Sequence, residues 1–396
     1  MKNQICLYLT GIAIFSFLGL GILTQCSLQK ADPVRLSSPD GHLIFSFRHT
    51  GRSISYSVIY KEKTLIEESG LSLDFKESGE FGHHVILQKP AFREIDETYE
   101  LVVGKAKTVR NFCNEMTIPL LERDSLHRQV NLVVRVYNDG LAFRYAFPEQ
   151  EKWNYFTLTE ERTTIRIKGN PKVLALLLPN YTTSHEGLYT KTPFEELRED
   201  TLMDMPVLLD YQGVYMAVTE AALNDYAGMY LTKQDDRLES RLSPLPGQDQ
   251  IKVKASLPHQ SPWRVLLIGD CIGDLLESNI ITSLNEPCQI KDLSWIKPGK
   301  ATWPWWNGTV VKDPAVTKGN NFETNKYYID FCARNGIEYH SVVEYGGHEW
   351  YRNNGSGYQP GTDVDVTRPV DGLDMQQVCD YARSKGVGIR LWIHWA

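Results

Sequence analysis

The chain has 396 residues, of which 42% are hydrophobic and 23% are charged, and its formal net charge is −7. This is ordinary globular composition for two or three domains, and the absence of a basic block or basic-aromatic stripe argues against a nucleic-acid partner. Aromatic residues reach 11%, a surplus that suits sugar binding and β-sandwich cores equally and does not separate them.

The first residues predict export. A short basic start, Met1–Gln4, precedes an apolar stretch from about Ile5 to Leu23, which is the pattern of a secretory signal. Cys26 follows, so we expect a lipoprotein signal over residues 1–26, although Gln25 is a poor residue before a lipidated cysteine. Ordinary cleavage and a retained membrane anchor are the alternatives. We expect a periplasmic or outer-membrane lipoprotein of a Gram-negative bacterium.

The cysteines argue against a disulfide scaffold or a zinc ribbon. Seven are present, none in a C-x-x-C pair, and setting aside Cys6 and Cys26 leaves an odd number. We expect most of the remainder to be buried free thiols. They are Cys113, Cys271, Cys288, Cys332 and Cys379.

Residues 30–290 read mainly as β-strands. Ile54–Tyr60 alternates apolar and polar residues, and two apolar runs, Val130–Tyr137 and Leu141–Phe147, flank Asn138-Asp139-Gly140, a strong hairpin signal. Strands at this spacing predict a large antiparallel sandwich. The other predicted strands are His42–Arg48, Thr163–Ile167, Val173–Leu178, Gly213–Thr219, Gln250–Lys254 and Trp263–Ile268.

After Pro287 the pattern changes to alternating strands and helices, which predicts parallel strands joined by right-handed crossovers. The predicted elements are a strand and loop at Ala301–Trp306, a helix at Asn321–Asn335, a strand at Ile337–Val343, a helix at Gly372–Lys385 and a strand at Gly388–Trp395. A (β/α)8 barrel needs about 250 residues. We therefore expect residues 291–396 to be an incomplete barrel and the sequence to be a fragment; a smaller complete α/β domain is the alternative.

From about Arg35 onward the sequence resembles glycoside hydrolase family 97, the exported α-glucosidases and α-galactosidases of gut-type Bacteroidetes. The resemblance rests on motifs in order at Leu36–Gly41, Val136–Tyr145, Ser283–Cys288 and Val343–Trp350. It implies a β plus α/β fold: an N-terminal antiparallel super-β-sandwich of the galactose-mutarotase type, followed by the first strands and helices of a (β/α)8 TIM barrel.

The resemblance implies that Glu186 is a Ca²⁺ ligand beside the substrate; from the residues alone it is a solvated loop glutamate. Calcium takes six to eight oxygen ligands, so further ligands would have to come from later barrel loops.

The resemblance also implies substrate contacts at the ends of the barrel strands. Glu344 would end the second strand, where a carboxylate after apolar residues is costly to bury without a partner; His348 and Glu349, in the loop after it, are weaker candidates. His394 would end the third strand and bond sugar hydroxyls, or it is a satisfied core histidine. Trp305 and Trp306 would end the first strand, where one could stack on a sugar and the other could pack in the barrel wall; core packing is equally expected for either.

The position two residues after His394 bears on the mechanism. Inverting members of the family carry a glutamate there, whereas this chain has Ala396. The resemblance therefore favours the retaining, α-galactosidase-like branch, in which two carboxyl groups lie about 5 Å apart. No catalytic residue is assigned within the chain.

Three functions remain open. The first is an exo-acting α-glycosidase acting on oligosaccharides, with this chain inactive by itself. The second is a non-catalytic carbohydrate-binding envelope protein. The third is an epimerase of the mutarotase type, for which no His and Glu pair is evident. Calcium is the expected cofactor, a lipid on Cys26 the only expected membrane attachment, and the oligomeric state is left open.

Overall fold

The computed structural model describes residues 32–123, 126–343, 349–355 and 360–393. They form two compact units: the first comprises the chain up to Tyr99 together with Thr108–Pro287, and the second Glu100–Lys107 together with the chain from Cys288. Within these ranges no helix is both long and apolar enough to span a membrane.

The first part of the chain is built from short antiparallel strands. In chain order they are β1 Val34–Ser37, β2 Leu43–His49, β3 Ile54–Tyr60, β4 Lys63–Gly70, β5 Leu73–Phe75, β6 Gly79–Phe81, β7 Val85–Leu87, β8 Ala91–Glu100, β9 Thr108–Glu122, β10 Gln129–Tyr137, β11 Gly140–Phe147 and β12 Tyr155–Glu161. They continue with β13 Thr164–Arg166, β14 Lys172–Leu178, β15 Tyr189–Pro193, β16 Leu202–Met203, β17 Val207–Asp210, β18 Tyr215–Ala221, β19 Met229–Gln234, β20 Arg237–Leu242, β21 Val253–Ser256, β22 His259–Gln260 and β23 Trp263–Gly269. A 3₁₀ turn covers Phe194–Glu196.

Two short helices close the first unit, α1 Ile272–Glu277 and α2 Ile280–Ser283. In the second unit a 3₁₀ helix spans Pro304–Asn307. The remaining elements are α3 Phe322–Asn335, β24 Tyr339–Val342, β25 Tyr351–Arg352, β26 Asp365–Pro369, α4 Met375–Ser384 and β27 Gly388–Leu391.

The first unit is the predicted antiparallel sandwich. Its strands form a 15-stranded sheet and two four-stranded sheets, β1-β2-β3-β4 and β21-β12-β5-β6. All three contribute to one apolar core, in which Phe45 of β2, Val134 of β10 and Phe156 of β12 are almost fully buried. Alternation of apolar and polar residues predicts such strands because each strand turns one face toward this core and the other away from it.

The predicted hairpin is confirmed. β10 and β11 pair from Asn131↔Ala146 to Tyr137↔Gly140, leaving Asn138 and Asp139 as a two-residue turn. A second apolar cluster lies apart from the main core and includes Trp263, Cys113 and Ile280 of α2. All seven residues of β23 are buried, because its two faces pack against different clusters. Trp263, Val265 and Leu267 belong to this cluster, whereas Leu266 and Ile268 belong to the main core.

The second unit opens as a parallel α/β arrangement, as the alternating pattern predicts. β24 and β27 pair in parallel from Tyr339↔Gly388 to Val342↔Leu391, and Ala301 forms a parallel bridge with Tyr339. Helix α3 begins after Asn321, whose side chain accepts a hydrogen bond from the Thr324 N–H, and ends at Gly336 in the left-handed conformation.

Several sequence-based expectations need correction. Trp305 and Trp306 lie in the 3₁₀ helix Pro304–Asn307 rather than at the end of a strand, because Pro304 cannot donate to a sheet and opens the helical turn. An antiparallel hairpin, β25–β26, also interrupts the alternation between β24 and α4. The five cysteines in the described part of the chain are free thiols, but of these only Cys113 and Cys332 are buried; Cys271 and Cys288 are exposed and Cys379 is half-buried.

Candidate functional site

Glu186 lies on an exposed loop of the first unit. The loop joins β14 to β15, which pair antiparallel from Lys172↔Pro193 to Leu176↔Tyr189. The Glu186 side chain is exposed and makes no hydrogen bond or ion pair with any other residue that the structure describes. Its carboxylate is therefore available to a ligand.

The residue before it is held in place. His185 adopts a left-handed backbone conformation, with φ of 58°, and its Nδ1 lies 2.7 Å from Oδ2 of Asp204. The other Asp204 oxygen accepts the Met205 N–H at 2.9 Å. The loop thus presents the exposed Glu186 carboxylate next to an imidazole that is held by Asp204, a residue that follows β16.

The donor chemistry of Glu186 suits a hard cation, since Ca²⁺ prefers carboxylate oxygens. Among the described residues no group of three or more His, Cys, Asp or Glu side chains could hold a metal ion. Glu186 can therefore supply one ligand of a calcium site but not a whole coordination sphere.

Trp305 and Trp306 are both accessible. The Trp306 side chain is 81% exposed and that of Trp305 is 39% exposed. At this exposure Trp306 is not packed into a core formed by the described residues. An exposed indole ring in this position can stack on the C–H face of a sugar.

A buried polar cluster surrounds His340 in the second unit. His340 of β24 is 1% exposed; its Nδ1 lies 2.8 Å from the Thr302 hydroxyl and its Nε2 2.9 Å from Oδ1 of Asn325. The Tyr328 ring stacks on the imidazole at 5.6 Å, and burial lowers the pKa of His340 to about 4. The cluster ties the chain before Trp303 to β24 and α3.

The carboxyl ends of the parallel strands meet at one edge. The Trp392 N–H donates to the Val342 carbonyl at 3.2 Å, and the Trp350 indole N–H donates to the Trp392 carbonyl at 2.7 Å. In barrels of parallel strands this edge carries the active site. The loop after β24 and the residues after β27 therefore both begin at this edge of the parallel pair.

Glu344, His348, His394 and Ala396 lie outside the described residues. Glu349 is described, and it is 5% exposed, which is unusual for a glutamate in a polar loop. Asn320 donates to its backbone carbonyl at 3.1 Å. Sequence reasoning missed the His340 cluster because its partners come from 15 and 38 positions away.

Two family models match the chain. One described as Glycosyl-hydrolase 97 N-terminal matches residues 36–287, and one described as Glycoside hydrolase 97 matches residues 305–396. The first alone covers well over half of the chain.

Two curated proteins are similar in sequence to this chain. The chain is 29% identical over 408 aligned residues to a protein named retaining alpha-galactosidase from Bacteroides thetaiotaomicron, covering 95% of this chain and 58% of that one. It is 28% identical to a probable retaining alpha-galactosidase from Streptomyces bingchenggensis, covering 84% of this chain and 48% of that one. The chain thus spans about half the length of the curated relatives it matches.

Solved structures show the same fold. Glycoside hydrolase family 97 enzymes from Pseudoalteromonas sp. strain K8, one in complex with acarbose and one (an E480Q variant) with panose, each superpose with a TM-score of 0.79 at 27% identity. Each match covers 90% of this chain and 53% of the other. A sandwich followed by a barrel is therefore the architecture to which the described elements correspond.

Proposed function

Because the chain belongs to glycoside hydrolase family 97, we propose that the protein it encodes is an exo-acting α-glycosidase of the retaining, α-galactosidase type. Its substrates would be oligosaccharides with terminal α-linked sugars. The observation that carries the proposal is the match across both units to two relatives that bear the name of that activity. An α-glucosidase specificity is the alternative within the family.

Retaining hydrolysis requires two carboxyl groups at a defined separation. One carboxylate attacks the anomeric carbon and a second carboxylic acid, about 5 Å away, protonates the leaving oxygen and later activates water. We assign neither role to a described residue. Trp306 would stack on the sugar, while Glu344 and His394 would bond its hydroxyls at the carboxyl edge of the parallel strands.

Calcium would be held in part by Glu186, whose carboxylate is free and exposed. When bound, the ion would supply positive charge that assists protonation of the leaving group. The role of this chain's loop would be to present Glu186, with His185 fixed by Asp204 beside it.

The anomer of the first product tests the proposal. A full-length gene product incubated with an aryl α-galactoside should release α-galactose first, as seen by time-resolved NMR, whereas β-galactose first would contradict the retaining mechanism. The chain by itself should give no turnover. Turnover by the purified chain would show that the catalytic carboxylates lie within it.

Trp306→Ala should raise KM by about tenfold and change kcat less, because loss of a stacked ring removes about 1–2 kcal/mol of ground-state binding. Trp295→Ala is the matched control, since Trp295 is also exposed, at 67%, in the second unit. Equal effects of the two substitutions on KM would contradict a sugar-stacking role for Trp306.

We also propose that the protein is exported and anchored by a lipid on Cys26. The support is the apolar leader, which lies outside the described residues. Cells grown with a radioactive fatty acid should label the wild-type protein but not Cys26→Ser. No label on the wild-type protein would leave ordinary cleavage as the better account.

A further inference from the structure

The first unit carries an open cavity of about 610 Å³ that the proposed hydrolase reaction does not use. Its wall is formed by the end of β11, the loop after β18 and the chain around β22, with Glu286 near the end of the unit. Its volume lies in the range of small-molecule sites. Two of the side chains that line it, Arg144 and His259, each have a buried nitrogen atom without a hydrogen-bond partner among the described residues.

Arg144 of β11 is the first of these. Its Nε is buried without a hydrogen-bond partner, and the side chain makes no hydrogen bond or ion pair with any described residue. By contrast, Arg135 lies 2.8 Å from Glu115 and Arg264 lies 2.7 Å from Glu161. A guanidinium with unmet donors in a cavity wall calls for an acceptor from outside the chain.

The guanidinium is nevertheless held in a fixed place. It stacks on the Trp263 ring at 4.3 Å, and Arg135 stacks on the same ring at 4.9 Å. Stacking orients the guanidinium but uses none of its N–H groups. Burial lowers the pKa of Arg144 to about 10, so the group stays charged at neutral pH.

The rest of the wall offers donors and acceptors for hydroxyl groups. Asn131, Asn224 and Gln260 line the cavity, and the Nε2 of His259 is buried without a partner. Burial lowers the pKa of His259, which keeps it neutral at pH 7.

Two acids, Asp225 and Glu286, stand exposed at the rim. Neither forms an ion pair with Arg144 among the described residues. Their negative charge disfavours a small, doubly charged anion such as phosphate, while their oxygens can accept hydrogen bonds from hydroxyl groups.

We propose that this cavity binds a sugar bearing one carboxylate, a uronate, with the carboxylate on Arg144 and the hydroxyls on the amide groups around it. A planar guanidinium matches a carboxylate through two parallel hydrogen bonds. The site goes beyond the proposed function, because none of the residues in its wall has a role in the proposed hydrolysis.

Calorimetric titration of the purified chain with D-galacturonate tests the proposal, with D-galactose and acetate as the neutral and simple-anion probes. Galacturonate should bind at least tenfold more tightly than either, roughly the effect of one charge-assisted pair. Arg144→Gln should remove that difference, and Arg52→Gln, which deletes an exposed arginine of the same unit, should not.

Glu286→Gln tests whether the bound ligand is negatively charged. Removing the rim carboxylate should tighten galacturonate binding severalfold and leave galactose unchanged, because only the charged ligand is repelled. If Arg144→Gln fails to fold, Asn224→Ala at the exposed rim should weaken galacturonate binding instead. Equal binding of galacturonate and galactose, equal binding of galacturonate and acetate, no galacturonate binding, or no effect of either variant would overturn the proposal.

Discussion

Arg264 is a buried cation that carboxylates surround. Its Nε and one Nη each lie 2.7 Å from an oxygen of Glu161, and its other Nη lies 2.7 Å from Glu220. Glu161 is fully buried. The two carboxylates raise the pKa of Arg264 despite its burial.

Arg264→Met should destabilise the sandwich by about 3–5 kcal/mol, because it leaves a buried carboxylate without its partner. Urea unfolding followed by circular dichroism measures the change. Arg110→Met, which breaks an exposed ion pair with Asp96, should cost far less stability, because water screens that pair. Similar losses for both substitutions would show that the Arg264 charge is not desolvated as described.

His340 should make the stability of the second unit depend on pH. Its folded pKa of about 4 lies below its ordinary value of 6.5, so the unfolded chain binds the proton more readily. The stabilisation is complete above pH 6.5 and is lost as the pH falls toward 4, up to about 3 kcal/mol.

His340→Gln is the matched control, since an amide can still bond Thr302 and Asn325 but does not titrate in this range. The wild type should lose more stability than the variant between pH 7.5 and pH 4.5, as measured by urea unfolding at both. Parallel losses would show that carboxylates elsewhere, and not His340, cause the acid sensitivity.

A functional residue can be found from sequence only when the residues that define its environment are close to it in the chain. Glu186 is selected only through the resemblance of the segment around it to the family, because its residue type and loop position alone indicate a solvated surface glutamate. His340 and Arg144 fall inside correctly predicted strands, yet neither stands out there. Their environment is set by Asn325, Trp263 and other residues brought close by folding.

At the scale of the element, Gly140 shows why the hairpin has its particular turn. A Cβ at this position would collide with the Leu266 carbonyl oxygen and would lie 2.9 Å from Cδ1 of Ile280. Both belong to neighbouring elements, so the close approach is a packing requirement.

Gly140→Ala should therefore cost about 2 kcal/mol or more, through overpacking added to an unfavourable φ. Gly51→Ala is the control, because Gly51 also has a positive φ, of 82°, but nothing lies within 4 Å of an added Cβ. Thermal unfolding compares the two. A loss at Gly140 no larger than that at Gly51 would rule out the packing explanation.

Alternation locates strands only when one face is uniformly apolar. β3 spans Ile54–Tyr60 as predicted, since its core-facing residues alternate. β9 escaped prediction although it is 15 residues long. Its buried Glu115 is tolerated because Arg93 and Arg135, from the adjacent strands, bond its two oxygens. No pattern within the strand itself reveals such partners.

At the scale of the whole molecule, two buried thiols, one in the core of each unit, allow the stability of the two units to be measured separately. Cys113 is fully buried in the first unit and Cys332 is fully buried in the second. Burial raises the pKa of Cys113 to about 11 and also raises that of Cys332. Cys271 and Cys288 are exposed. Since the thiolate is the reactive form, burial and the raised pKa both lower the reactivity of Cys113 and Cys332.

Brief alkylation at pH 8, located by mass spectrometry, should modify Cys271 and Cys288 at once, and Cys379 more slowly. Cys113 and Cys332 should react only when urea opens the core around each, so their labelling midpoints measure the stability of the two units independently. Adding a reductant should change neither midpoint, because the described thiols are free. Rapid labelling of Cys113 in native buffer would contradict the packing of Cys113 beside Trp263.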